Sequence, residues 1–259
     1  MQLFQLDKWY FDCLTDAGDA IVLYRASLKW GILRLSYGAV LYHPRRGDSL
    51  HRYTLRPGTE ANVDDNAIQW VCPRLAVAGV WTPSAPGFKC KLLDSADGAI
   101  HWHCLAPQAY ADVRLGNDRL TGRGYVEQLT MTVTPWRLPF SELKWGRFVG
   151  RNDSLVWIQW LGTTIRTWVW LNGTERLHGS VIDERIELPH EHVSLDLQND
   201  AVLRTGLLSS TALRSIRALT CLMPQWRGAH ETKWLAHGTL NRPGGADTGW
   251  AIHESVRWL

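Results

Sequence analysis

Three short motifs in this 259-residue chain carry side chains that could do chemistry. Tyr125 and Glu127 stand two apart behind Gly122-Arg123-Gly124. In a strand, residues i and i+2 share a face, so both side chains should point into one cavity. A carboxyl buried in apolar surroundings holds its proton near neutral pH and can then serve as an acid. His101 and His103 flank Trp102 and also share a strand face, as do His190 and His192 around Glu191. Such pairs can ligate zinc when a third ligand approaches. Pro189 ahead of His190 points instead to a loop or an edge, and the expectation is no metal and no cofactor. There is no Gly-x-Ser-x-Gly elbow, and Gly122-x-Gly124 is too short and lacks the following helix of a phosphate loop.

The elements that must hold these residues are strands. Short alternating segments bounded by turn residues run through most of the chain. Asp16-Ala17-Gly18-Asp19, Gly116-Asn117-Asp118 and Asn172-Gly173 read as tight turns, the last a strong two-residue hairpin signal. Strands are expected at Ala99–Leu105 and Ala109–Leu115, and Trp-rich ones at Ser154–Leu161 and Thr163–Leu171. One segment differs: Ser209–Met223 places Leu213, Ile216 and Leu219 three apart ahead of Pro224, the pattern of a short amphipathic helix. About eight strands on each side of residue 118 fit two consecutive antiparallel barrels, since about eight strands close one barrel around a small ligand. The expected division is 1–118 and 119–259, with the glycines and prolines of the central stretch at the seam and Pro135 and Pro139 breaking the pattern before a second packed unit.

Composition narrows the function. The net charge of +3 gives no reason to expect a nucleic acid or anionic membrane partner. The N-terminus lacks a basic region followed by an apolar run, and no segment has the apolar length of a membrane helix, so a soluble cytoplasmic protein is expected. The 5 cysteines are odd in number and never in a C-x-x-C pair, which argues for buried free thiols. The 15 tryptophans are several times ordinary usage and suit wide barrels or a large apolar pocket.

With Trp9-Tyr10-Phe11-Asp12 near the start, Gly122-x-Gly124-Tyr125-x-Glu127 in the middle, Trp145-Gly146-Arg147 after it and Gly249-Trp250-Ala251-Ile252-His253-Glu254 at the end, the chain resembles the carotenoid hydratases (hydroxyneurosporene synthase family) and their AttH-like relatives. That group shares a tandem lipocalin-like architecture with tocopherol cyclases and lipocalin-type Diels–Alderases. The resemblance spans nearly the whole chain. It departs where the family commonly has aspartate at Glu127 followed by Asn-Trp-Gly; here Gln128-Leu129-Thr130 follows.

The resemblance implies an all-β, tandem lipocalin-like enzyme on an apolar isoprenoid or polyketide-like substrate. Its chemistry would be acid-catalysed hydration or cyclisation through a carbocation, with a non-catalytic carrier as the other possibility. Protonating an alkene needs a protonated acid, and the resulting cation needs aromatic faces rather than a nucleophile. Glu127 is the candidate acid with Tyr125 beside it. The resemblance pairs them with a His and a Trp from an earlier strand; the matching segment is His101-Trp102-His103, and either histidine could be the partner. Trp102, Trp145, Trp157, His253 and Glu254 are the candidate substrate-lining residues, although Trp145-Gly146-Arg147 also reads as packing and Trp157 as core filling.

Overall fold

The computed structural model describes residues 4–208 and 228–258, which form two compact units, Met1–Arg137 and Leu138–Leu259. In the first, the strands are β1 (Phe4–Leu14), β2 (Ala20–Trp30), β3 (Leu33–His43), β4 (Leu50–Thr54), β5 (Asn62–Val63), β6 (Ile68–Cys72), β7 (Val77–Pro83), β8 (Phe88–Ser95), β9 (Gly98–Leu115) and β10 (Asp118–Met131). They make one antiparallel sheet in the order β4-β3-β2-β1-β10-β9-β7-β6-β5, with β8 pairing β9. The two strands expected at 99–105 and 109–115 are one long strand. Its first half pairs β8 and its second half pairs β7.

Alternation explains the core. Trp9, Phe11 and Cys13 on β1 share a face with Ile21 and Leu23 on β2, and this face meets Val40 from one end of the sheet and Ile68, Trp70 and Trp81 from the other. Strands from both ends of the order reach one core only if the sheet curls into a barrel. A 3-10 turn at Pro73–Leu75 lies against β3 and β4.

The second unit repeats the plan with β11 (Glu142–Val149), β12 (Ser154–Leu161), β13 (Arg166–Leu171), β14 (Thr174–Arg176), β15 (Ser180–Ile182), β16 (Arg185–Leu188), β17 (Val193–Leu207), β18 (Ala229–Arg242) and β19 (Gly245–Trp258). Their order, β14-β13-β12-β11-β19-β18-β17-β16-β15, is that of the first sheet. Each unit also carries a proline-initiated 3-10 turn, at Pro73 and at Pro189, that ends on a left-handed residue, Ala76 (φ 54°) in one and His192 (φ 54°) in the other. The β13–β14 hairpin turns on Asn172 (φ 53°) and Gly173 (φ 77°), the left-handed pair its sequence demands. The fold is therefore all-β, two consecutive lipocalin-like antiparallel barrels. The helix expected at 209–223 lies outside the described residues. Among the described residues no helix is long and apolar enough to cross a membrane.

The units divide between Arg137 and Leu138, in the proline-bearing stretch, rather than at residue 118. β10 pairs β1 along nine residue positions from Leu6 to Leu14, so it belongs to the first barrel. Gly122 and Gly124 are then interior positions of a strand and not a seam. A Cβ on Gly122 would stand 2.0 Å from the Leu14 carbonyl oxygen, and one on Gly249, the matching position of β19, 2.1 Å from that of Val149. Backbone cannot give way as a flexible side chain can. Gly122→Ala should cost about 1–3 kcal/mol, checked by the urea midpoint of the variant against wild type.

Candidate functional site

Tyr125 and Glu127 do share a face of β10, the one opposite the Trp9–Phe11–Trp81 core, and both are buried there (0% and 6% exposed). Pairing of β10 with β9 sets Cys104 opposite Glu127 and Trp102 opposite Leu129, on the same face. The indole of Trp102 donates from Nε1 to Glu127 Oε2 at 2.7 Å, and the Tyr125 hydroxyl donates to the same oxygen at 2.7 Å. Around them, Tyr10 meets Tyr125 edge-on at 5.9 Å between centroids, and Phe88 meets Trp102 in the same way at 5.2 Å.

Burial pushes the Tyr125 hydroxyl well above its usual range, with Cys104 and Glu127 adding to the effect. The Cys104 thiol is likewise pushed well up, first by burial, against a hydrogen bond with Tyr125. Both keep their protons near neutral pH, so Tyr125 acts toward Glu127 as a donor. A carboxyl that gives up a proton from Oε1 would leave its charge on a group whose Oε2 is already held by two fixed donors. Donors aimed in advance at developing charge are how a buried site favours such a step.

His101 and His103 do not join this cluster. They alternate with Trp102 along β9 and lie on the other face, where His103 sits opposite Gln128 and His101 opposite Thr130. This corrects their expected partnership with Glu127, and the reason is the period of two in a strand. Cys104 and Tyr10 were not among the expected site residues, yet they adjoin the Tyr125–Glu127 pair. Their positions depend on strand pairings distant in sequence.

In the second barrel, Trp145 pairs Glu254 across β11 and β19, and Glu254 pairs Lys233 across β19 and β18. The fully buried Lys233 ammonium makes an ion pair with Glu254 and lies 5.2 Å from the centre of the Trp145 ring. Trp157 is on the other face. It belongs to the core of this barrel and lies over Gly146, where a Cβ would be 2.1 Å from the indole. His253 stacks on Trp234 at 4.9 Å and its Nε2 is 2.7 Å from Asn199 Oδ1.

The half-buried His253 carries a pH prediction. Burial, and then the Lys233 charge, lower its pKa from 6.5 to about 4, against the opposing pull of Glu254. Between those values the unfolded chain binds the proton that the folded chain does not, so stability is complete above pH 6.5 and falls as pH drops toward 4. The loss is on the order of 3 kcal/mol. Denaturation at pH 7 and pH 4.5 should show a smaller drop for His253→Gln than for wild type.

Among the described residues no three His, Cys, Asp or Glu side chains are grouped to hold a metal ion. These barrels, each with the same strand order, define the class: a tandem lipocalin-like protein of AttH-like fold. The solved structures it is similar to include kievitone hydratase from Nectria haematococca, at 8% identity and TM-score 0.58 over 97% of this chain and 88% of that one. CghA matches at 12% identity and TM-score 0.57, covering 98% of this chain and 88% of its own. A protein from Nitrosomonas europaea described as AttH matches at 10% identity and TM-score 0.56, covering 97% and 91%. At such identities the likeness is one of fold. No protein-family model and no curated protein sequence matches the chain.

Proposed function

We propose that the chain is an enzyme that protonates a carbon–carbon double bond of an apolar isoprenoid or polyketide-like molecule, leading to hydration or cyclisation through a cation. The observation that carries this is a buried carboxyl, Glu127, held on one oxygen by Trp102 and Tyr125 at 2.7 Å each. Glu127 supplies the proton. Trp102 and Tyr125 orient the carboxyl and stabilise the negative charge left on it, until the carboxylate takes back the proton released when water adds to the cation or when cyclisation ends in loss of a neighbouring proton. Their rings, with Tyr10, offer aromatic faces to a nearby cation, while the protonated Tyr125 and Cys104 present no anion to trap it. Within the second barrel, Trp145, Glu254 and His253 remain candidates for ligand contact, and Trp157 acts through core packing. Among the proteins of like fold, one is named a hydratase of kievitone and another was solved with Sch210972.

The test is incubation of wild type and Glu127→Gln with a panel of polyenes, carrying isoprenoid and polyketide chains, followed by chromatography and mass spectrometry. Conversion by wild type alone, with both proteins binding the same compound, supports the enzyme. Binding by both with conversion by neither would make the protein a carrier of hydrophobic small molecules.

A further inference from the structure

His101-x-His103 is left over from the proposed site, and the structure gives it different company. In the β8–β9 ladder, Lys89 stands opposite His103 and Lys91 opposite His101. Directly opposed residues in an antiparallel pair share a face, so two lysines and two histidines form a two-by-two array. Gln128 and Thr130 of β10 continue the same rows on the far side. These six residues, together with Cys90 and Trp102, line a depression of about 290 Å³. It lies on the core-bearing face of the first sheet, beyond the point where Trp9 ends the packed interior.

Four basic side chains set side by side repel one another when charged, and such an array weakens a sheet unless something offsets it. Acidic residues offset only part of it. Asp94 is hydrogen-bonded to the Lys91 ammonium at 2.8 Å, and this bond and the Lys91 charge, with a smaller contribution from His101, lower its pKa. Asp7, beyond Gln128, receives that residue's amide and faces the Arg25 guanidinium at 3.8 Å. Among the described residues, neither Lys89 nor His103 has an acidic partner. Burial, then the Lys89 charge, lower the pKa of half-buried His103.

We propose that this depression is a binding site for an oxyanion, the carboxylate or phosphate group of a small molecule, with Lys89 and His103 as its principal ligands and His101 and Lys91 as flanking charges. Lys89 contributes a full charge and three donors. His103 becomes a second charged donor once the anion is beside it, because an opposite charge within contact distance favours the imidazolium. The groups that face His103 are Lys89 on β8, His101 along β9, and Gln128 and Thr130 on β10. An anion held between Lys89 and His103 is therefore read from the His103 ring, with the His101 ring followed in the same titration. Glu127 lies on the opposite face, and Trp102, whose indole donates to it, also lines the depression; the proposed ligands Lys89 and His103 take no part in the acid site, so loss of anion binding in Lys89→Gln leaves the acid chemistry untouched.

The experiment is an NMR titration of the histidine ring resonances, with His103 assigned through His103→Gln. Inorganic phosphate and octanoate are added separately at constant ionic strength. Either anion should raise the His103 pKa by about one unit, saturably, with a dissociation constant on the order of 1 mM or tighter. Exposed Lys89→Gln should weaken that binding about tenfold, while Lys29→Gln, elsewhere on the sheet, should not. Octanoate binding more tightly than phosphate would assign the site to the head group of an amphipathic acid, and the reverse order would assign it to a free anion. The proposal is overturned if neither anion shifts His103 beyond what sodium chloride does, or if Lys89→Gln responds as wild type.

Discussion

Glu127→Gln should cut turnover by orders of magnitude while leaving ligand binding in place. The change is nearly isosteric, and the amide oxygen can still accept from Trp102 Nε1 and the Tyr125 hydroxyl, which both reach Oε2 at 2.7 Å in the native site. What is lost is the acidic proton. General acids in positioned sites contribute about 10²–10⁴-fold to rate, and a drop in kcat of that size is expected. KM should change little, since shape and polarity at this point are kept. A fall in affinity with kcat preserved would instead make Glu127 a binding group. Circular dichroism and thermal melting accompany the assay, so that lost activity is not lost fold.

The largest effect on stability is expected from Trp81→Ala. Trp81 is fully buried and tilts against Phe11 at 4.8 Å between centroids, and its Nε1 donates to the Asp12 carbonyl at 2.7 Å. The chain makes room for its ring twice: a Cβ on Gly79 would be 2.3 Å from it, and one on Gly124 would be 2.7 Å. Emptying that space should cost about 3–5 kcal/mol, a large share of the roughly 5–15 kcal/mol that holds a typical domain folded. Trp81→Phe keeps most of the packing and loses the hydrogen bond, so about 1 kcal/mol is expected. Urea unfolding of the three proteins provides the comparison; equal midpoints for wild type and Trp81→Ala would refute it.

The packing of Trp81 also accounts for what the sequence did and did not reveal. Gly124 reads as part of a family-like motif, but its reason, an indole crossing from β7, lies more than forty residues away in the chain and follows only from the fold. By contrast, the shared face of Tyr125 and Glu127 follows from local alternation alone and holds in the structure. The choice between Trp102 and its flanking histidines was also legible in principle. The tight turn after Leu115 pairs that residue with Asp118, which sets odd residues of β10 beside even residues of β9. Trp102 and Cys104 are even; His101 and His103 are not. Register shifts around Val126 then slide the strands by one residue twice, which preserves that parity and brings Trp102 close enough to bond Glu127. The parity could be counted; the bulge could not. The expected division at residue 118 fell where a strong turn signal stands, but that turn is a hairpin inside one sheet. The pairing of β10 with β1, at opposite ends of the first barrel's sequence, decides the matter, and pairings at such separation leave no local trace.

The central claim is that the Glu127 carboxyl delivers a proton to carbon, and isotope incorporation tests it most directly. A substrate found by the panel is converted in D₂O and the product analysed by mass spectrometry and NMR. Wild type should place one non-exchangeable deuterium at the carbon that was protonated, and Glu127→Gln should form that product at least about 100-fold more slowly. Conversion without deuterium at carbon, or equal conversion by Glu127→Gln, would contradict the claim.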